Sequence, residues 1–262
     1  MATGTGSSAG WEEQLGEARE RLRIERRRVV DEREAFRAFR SRVDSVAAET
    51  VQPAQRSGGA MRETAPAPGS GLVAVRDAYV ETVMSVPHYE DEYDDTYERS
   101  VAAEFGPELA YALARTSRFH AEYKRSLLAA ADTAVEERER FLKTVRSETE
   151  SVERAATRLS PIAAETESMA GTADPDAGFG ALDASRARAK VLLGDCDRIA
   201  ARRQRELAAH ERDLALGDDI DLPTYLYQDL AVTYPVLSAV GAVGDRLDAL
   251  VNRIERSMAE TA

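Results

Sequence analysis

From Trp11 onward, apolar residues recur every three or four positions for five heptads, and no glycine or proline interrupts the chain between Gly16 and Pro53. Trp11, Ala18, Phe39 and Val46 occupy one seam position, and Leu15, Leu22, Val29, Phe36 and Val43 the other, with Glu25 and Glu32 as the charged interruptions. A 3,4 spacing held this long fits a helix and excludes a strand, whose side chains alternate with period two. It carries the signature of a coiled coil. At 1.5 Å per residue the stretch makes a rod of about 55 Å.

Two further stretches repeat the pattern. One begins after Thr116-Ser117, a capping pair, and runs to Met169 through Leu127, Ala131, Ala134, Arg138, Phe141, Val145, Glu148, Val152, Ala155, Leu159 and Ile162, with Pro161 expected to kink it. The other runs from Leu182 through Ala189, Leu193, Cys196, Ala200, Arg203, Leu207, His210 and Leu214. The spacing predicts an all-α protein: an antiparallel coiled-coil stalk of three helices carrying a compact helical head. Its expected divisions are a disordered tail at 1–10, stalk helices at 11–49, 126–169 and 181–216, a flexible linker at 50–70 and a turn at 170–180. The head is assembled from 71–125 and 217–262. All nine tyrosines fall in those last two segments. The final helix, from Pro235, is amphipathic through Val236, Val240, Val243, Leu247, Leu250, Ile254 and Met258. Spacing alone leaves open whether it packs on the head or along the stalk.

Charge narrows the setting. The chain carries 47 acidic and 35 basic residues, a formal net charge of −12, and only Lys124, Lys143 and Lys190 among its cations are lysines. Acid excess with scarce lysine is the pattern of a protein working in molar salt, where the Debye length of about 3 Å screens self-repulsion. The single cysteine, Cys196, excludes an intrachain disulfide and fits a reducing compartment. The opening MATGTGSSAG lacks the apolar core of a secretory signal. The longest apolar run, VLSAVGAV, falls well short of the ~20 residues a membrane span needs. The expectation is a cytoplasmic, halophilic, soluble protein without membrane insertion. Basic runs such as RLRIERRRVV are interleaved with acids, so no nucleic-acid footprint is expected.

The stretch VPHYEDEYDDTYE (86–98) is the most conspicuous candidate site. Read as one helix, it places Tyr89, Tyr93 and Tyr97 on one stripe and its acids around the other sides. A calcium loop fails: counted from Asp91, the third position is Tyr93, the sixth Thr96 and the twelfth Ala102. A zinc site would have to gather His88 and His120 with Glu90 and Asp91, none of which have ligand spacing in the sequence. No nucleophile elbow, phosphate loop or dinucleotide fingerprint occurs. No catalytic residue, cofactor or enzymatic activity is therefore expected.

Three segments together resemble a haloarchaeal family of unknown function whose members are stand-alone proteins of about this length: RIERRRVVDEREAFRAF, ETVMSVPHYEDEYDDTYERSVAAEFGPELA and LPTYLYQDLAVTYPVLSAVGAVGDRL. The resemblance spans nearly the whole chain and implies a lineage but no activity and no site residues.

The reading is an interaction or scaffold protein with a protein partner or a second copy of itself. Its binding surface is expected on Tyr89, Tyr93, Tyr97, Tyr225, Tyr227 and Tyr234, tyrosine being favoured at interface hot spots. The alternative is metal binding or ligand sensing in the tyrosine-rich head. Two packing expectations accompany it: Glu32 pairs with Arg203 across the seam, and 86–106 packs against 222–236.

Overall fold

A computed structural model describes residues 9–49, 69–172, 178–214 and 221–261. Their regular structure is all helical, with no strand among the described residues: α1 Ala9–Ser45, α2 Ser70–Val80, α3 Tyr89–Glu92, α4 Tyr97–Phe105, α5 Pro107–Arg115, α6 Ala121–Thr172, α7 Phe179–Leu214, α8 Leu222–Tyr227 and α9 Pro235–Thr261, with one 3-10 turn at Val83–Ser85. The expected tail lies outside the described residues except at its end, where α1 begins. The linker at 50–70 lies outside them up to residue 68, as does the middle of the turn at 170–180. The chain divides into two compact units, Arg26–Lys143 and the pair of segments Met1–Glu25 and Thr144–Ala262.

In the 26–143 unit, Phe36, Phe39 and Val43 of α1 meet Leu72, Val75 and Tyr79 of α2, Val101 of α4, Phe119, and Leu127, Ala131 and Ala134 of α6. Burying each such side chain contributes about 1.5–3 kcal/mol. Aromatic rings fill the centre: Phe39 meets Tyr79 edge-on at 5.2 Å and stacks on Phe105 at 5.7 Å, and Tyr79 meets Tyr97 at 5.6 Å. The Tyr79 hydroxyl is paired with Ser100 Oγ at 2.9 Å, so this buried phenol loses no hydrogen bond. The chain entering α2 passes hard against the segment leading to α6. Gly69 N–H donates to Ser117 O (2.9 Å), and a Cβ on Gly71 would stand 2.9 Å from Phe119 Cβ. Only glycine permits that approach.

The single helix expected through 86–98 is broken. Glu92 ends α3, Asp94 adopts φ 41°, and Thr96 caps α4, its hydroxyl accepting from Arg99 N–H. A left-handed aspartate followed two residues later by a capping threonine interrupts the backbone, which outweighs the tyrosine periodicity. The capping pair expected for α6 also differs, because Thr116 closes a local turn with Arg118 and α6 begins at Ala121.

In the other unit, Trp11, Leu15, Ala18 and Leu22 are all buried, as the seam requires. The stretch of α6 there continues through Pro161 without ending. Helix α9 runs along α7, which settles the place of the C-terminal helix. Its whole apolar stripe from Val236 to Met258 is buried, and Leu250, Ile254 and Met258 close over Leu182. The expected α7 seam holds at Leu182, Ala189, Cys196, Arg203, Leu207 and His210, all of which are buried, and differs at two positions. Leu192 and Ile199 are buried where Leu193 and Ala200 were expected, and those two are only half-buried. Arg186 and Lys190 of α7 reach Glu255 of α9 at 3.9 and 3.7 Å, and Ser238 of α9 donates to Gln14 of α1 at 3.1 Å.

Candidate functional site

Polar residues at seam positions converge on two carboxylates, one in each unit. In the 26–143 unit, Glu32 accepts from His88 Nε2 (3.1 Å), the Tyr93 hydroxyl (3.1 Å) and Arg138 Nε (3.2 Å). Arg138 also donates to Glu104 at 2.7 Å and lies 4.6 Å from the Phe36 ring centroid. Burial disfavours its charge, but Glu104 and Glu32 outweigh that and hold its pKa above the ordinary arginine value.

In the other unit the carboxylate is Glu148, 1% exposed. Arg203 grips it with two parallel bonds of 2.6 and 2.7 Å, and the Tyr227 hydroxyl donates to it at 2.6 Å. His210 Nδ1 stands 3.6 Å away without a hydrogen bond, while its Nε2 pairs with Ser147 Oγ at 3.1 Å. Burial, and then the Glu148 charge, push the Tyr227 phenol upward, so it stays a neutral donor. Each cluster sets an arginine, a tyrosine and a histidine around one glutamate, with Glu104 added on Arg138 in the first and Ser151 on Arg203 in the second. Neither Glu32 nor Arg203 uses the other: the expected pair is corrected to Glu32–Arg138 and Glu148–Arg203. The remaining seam acid, Glu25, is buried and accepts from the Tyr225 hydroxyl at 2.8 Å.

Beside Glu32 lies a small cleft of about 50 Å³, lined by Glu32, Asp95, Glu104 and Arg138 with Phe36, Val83, Val86, Tyr89, Tyr93, Ser100 and Ala103. A second and larger opening, a groove of about 720 Å³, is walled by α2, α4 and α5. Leu72, Val75, Val101 and Leu113 line it, and Val73 and Val80 on its α2 wall are 43% and 41% exposed. Helix α5 is amphipathic, and Leu109, Ala110 and Leu113 on its apolar side pack against the core while staying half-buried.

The predicted site residues separate by environment. Tyr89 and Tyr227 are buried at 6% and 1% exposure, so neither offers surface to a partner. Tyr97 is half-buried under Arg76, whose guanidinium lies 5.3 Å from the ring centroid. Tyr93, Tyr225 and Tyr234 are exposed. The segments 86–106 and 222–236 belong to different units, and the tyrosine partners described above lie inside the unit of each. His88 is committed to Glu32, and His120 directs Nδ1 to the Glu49 carbonyl at 3.4 Å. Glu90 and Asp91 are exposed on α3. Among the described residues, no group of three or more His, Cys, Asp or Glu side chains is placed to hold a metal ion. Sequence reasoning named Arg138 and Glu148 only as seam positions, without partners, and passed over Glu104. The available signal was the run of charged residues at seam positions 32, 138, 148 and 203, each of which demands a buried partner.

Among the described residues, no helix is long and apolar enough to cross a membrane. No curated protein and no solved structure matches the chain. A family model does: the one described as a domain of unknown function (DUF7260) matches residues 13–250. That span takes in both carboxylate clusters, the cleft and the groove, and the chain belongs to the DUF7260 family.

Proposed function

We propose that this is a non-enzymatic interaction protein whose groove between α2, α4 and α5 receives an amphipathic helix of a partner protein. The observation that carries the reading is the groove itself, lined by Leu113 and Ala110 of α5, which the core covers only in part, and by Val73 and Val80 of α2, which are exposed. Those two valines lie seven residues apart, two helical turns, which gives the wall a length suited to a docked helix. Arg76 and Arg115 line the groove together with Asp77 and Glu98, so a helix bearing both signs of charge fits it. The acid excess and three lysines support a salt-rich cytoplasm as the setting. There the rim charges act over about 3 Å only, and apolar contact carries the recognition. The heptad spacing of α1, α6 and α7 supports a coiled-coil scaffold role for the long helices.

A photo-crosslinking side chain at position 73, used in cell lysate held at molar KCl, tests the reading. It should join one defined partner, and Val80→Asp should abolish the product. Equal capture from position 191, an exposed valine of α7 in the other unit, would overturn it. So would a product consisting of two copies of this chain.

A further inference from the structure

In the unit that holds Glu148, a serine, a histidine and a glutamate follow one another from the surface inward. Ser147 of α6 is exposed, and its Oγ meets Nε2 of His210 on α7 at 3.1 Å. His210 is 7% exposed, and its Nδ1, which makes no hydrogen bond, stands 3.6 Å from Glu148 Oε2. The two oxygens of Glu148 differ in how fully they are used. Oε1 accepts from Arg203 Nη2 and from the Tyr227 hydroxyl, both at 2.6 Å. Among the described residues, Oε2 accepts from Arg203 Nη1 alone, at 2.7 Å. A carboxylate oxygen has two lone pairs, so Oε2 keeps one that His210 can use. That decides the tautomer. With the ring proton on Nε2, the bare Nδ1 lone pair would face a carboxylate oxygen. With the proton on Nδ1 the contact becomes attractive, and Nε2 is left to accept the Ser147 hydroxyl proton.

We infer that Ser147 is a modification site, an activated hydroxyl that takes an acyl group from an activated donor such as a thioester. A serine hydroxyl is a weak nucleophile until an adjacent base accepts its proton, and the base needs a third group to orient it. Nε2 of His210 is that base. Glu148 positions the ring and faces the imidazolium that forms. Its 3.6 Å separation is longer than a hydrogen bond, as is common for such groups before a substrate is present. In the step, Ser147 Oγ bonds to the acyl carbon and its proton passes to Nε2. The bond from that carbon to the leaving group breaks, and the leaving group departs with the electron pair. The proton then returns from His210 to the leaving group or to water. Turnover is not expected. Ser147 lies inside α6, whose backbone N–H groups are spent on the helix ladder and form no oxyanion hole. The acyl group therefore stays on the serine, in keeping with a non-enzymatic protein. The site is also separate from the groove, which belongs to the 26–143 unit, so either reading stands without the other.

Treatment of the full chain with 4-nitrophenyl acetate, followed by peptide mass mapping, tests the inference. Acetylation of Ser147 is expected to outpace that of Ser160, another exposed serine of α6, by about a hundredfold or more, the scale of general-base assistance. His210→Gln should bring Ser147 down to the Ser160 rate. The part of the 4-nitrophenolate release that Ser147→Ala removes should stop at one equivalent of protein. Circular dichroism checks both variants. If His210→Gln loses helicity, the ratio of Ser147 to Ser160 in the native chain decides alone. Equal rates at the two serines, acetyl groups on lysine or histidine only, or unchanged labelling of Ser147 in a folded His210→Gln chain would each overturn the site. Ser147-dependent release that continues past one equivalent would overturn the stoichiometric acceptor.

Discussion

Arg203 and Glu148 are 2% and 1% exposed and are held by two parallel bonds, so almost nothing of either charge reaches water. Such a pair adds little net stability, but removing one partner strands the other. Arg203→Met should lower unfolding free energy by about 3–5 kcal/mol, read from urea titration, and adding Glu148→Leu should recover much of that loss. A double variant as unstable as the single would mean that Glu148 draws its support from Tyr227 rather than from Arg203. The need for a partner was legible at this scale, since a charge at a seam position must be paired. The identity of the partner was not. Glu32 found Arg138, and Arg203 found Glu148, because pairing follows how faces are rotated and which unit a residue joins. Heptad counting carries neither quantity.

Among the elements, α1 was the most legible: its expected seam residues from Trp11 to Val43 are buried, Glu25 included, with Glu32 half-buried. Periodicity works there because the helix has no glycine or proline after Gly16 to contradict it. In α7 the expected seam held at Ala189, Cys196 and Arg203, but the positions between them fall one residue earlier than expected, Leu192 for Leu193 and Ile199 for Ala200. The break between α3 and α4 was illegible. The tyrosines at 89, 93 and 97 keep helical spacing, while one backbone angle at Asp94 decides the path. Asp94→Gly should leave stability unchanged or raise it by a few tenths of a kcal/mol, and Asp94→Val should cost about 1–2 kcal/mol. Thermal melts of the two variants distinguish them. A valine that melts like wild type would show that the break does not depend on the left-handed residue.

Across the molecule, tyrosines tie stability to alkaline pH. Burial leads the causes that hold the phenols of Tyr79, Tyr89, Tyr93 and Tyr227 above the ordinary value, and it pushes Tyr97 up to about 12. A group raised in the folded state favours folding fully below its unfolded pKa of about 10, and that contribution disappears as pH climbs through the folded value. Stability should therefore fall from about pH 10 upward. The part of the tyrosinate absorbance that belongs to these five rings should then rise together with loss of helicity; ionisation of all nine tyrosines in one smooth step near pH 10 with helicity intact would contradict their burial. The division of the chain has a further consequence, for the order of events during synthesis. Residues 26–143 form one unbroken stretch, so that unit is complete once residue 143 has left the ribosome. The other unit joins residues far apart in time: Gln14 bonds Ser238 and Glu25 bonds Tyr225, separations of 224 and 200 residues. At about 5–20 residues per second, the segment bearing Trp11, Leu15 and Leu22 waits on the order of ten seconds or more for those partners. The apolar segment around Trp11, Leu15 and Leu22 is thus buried only once residues some two hundred positions further along have been made.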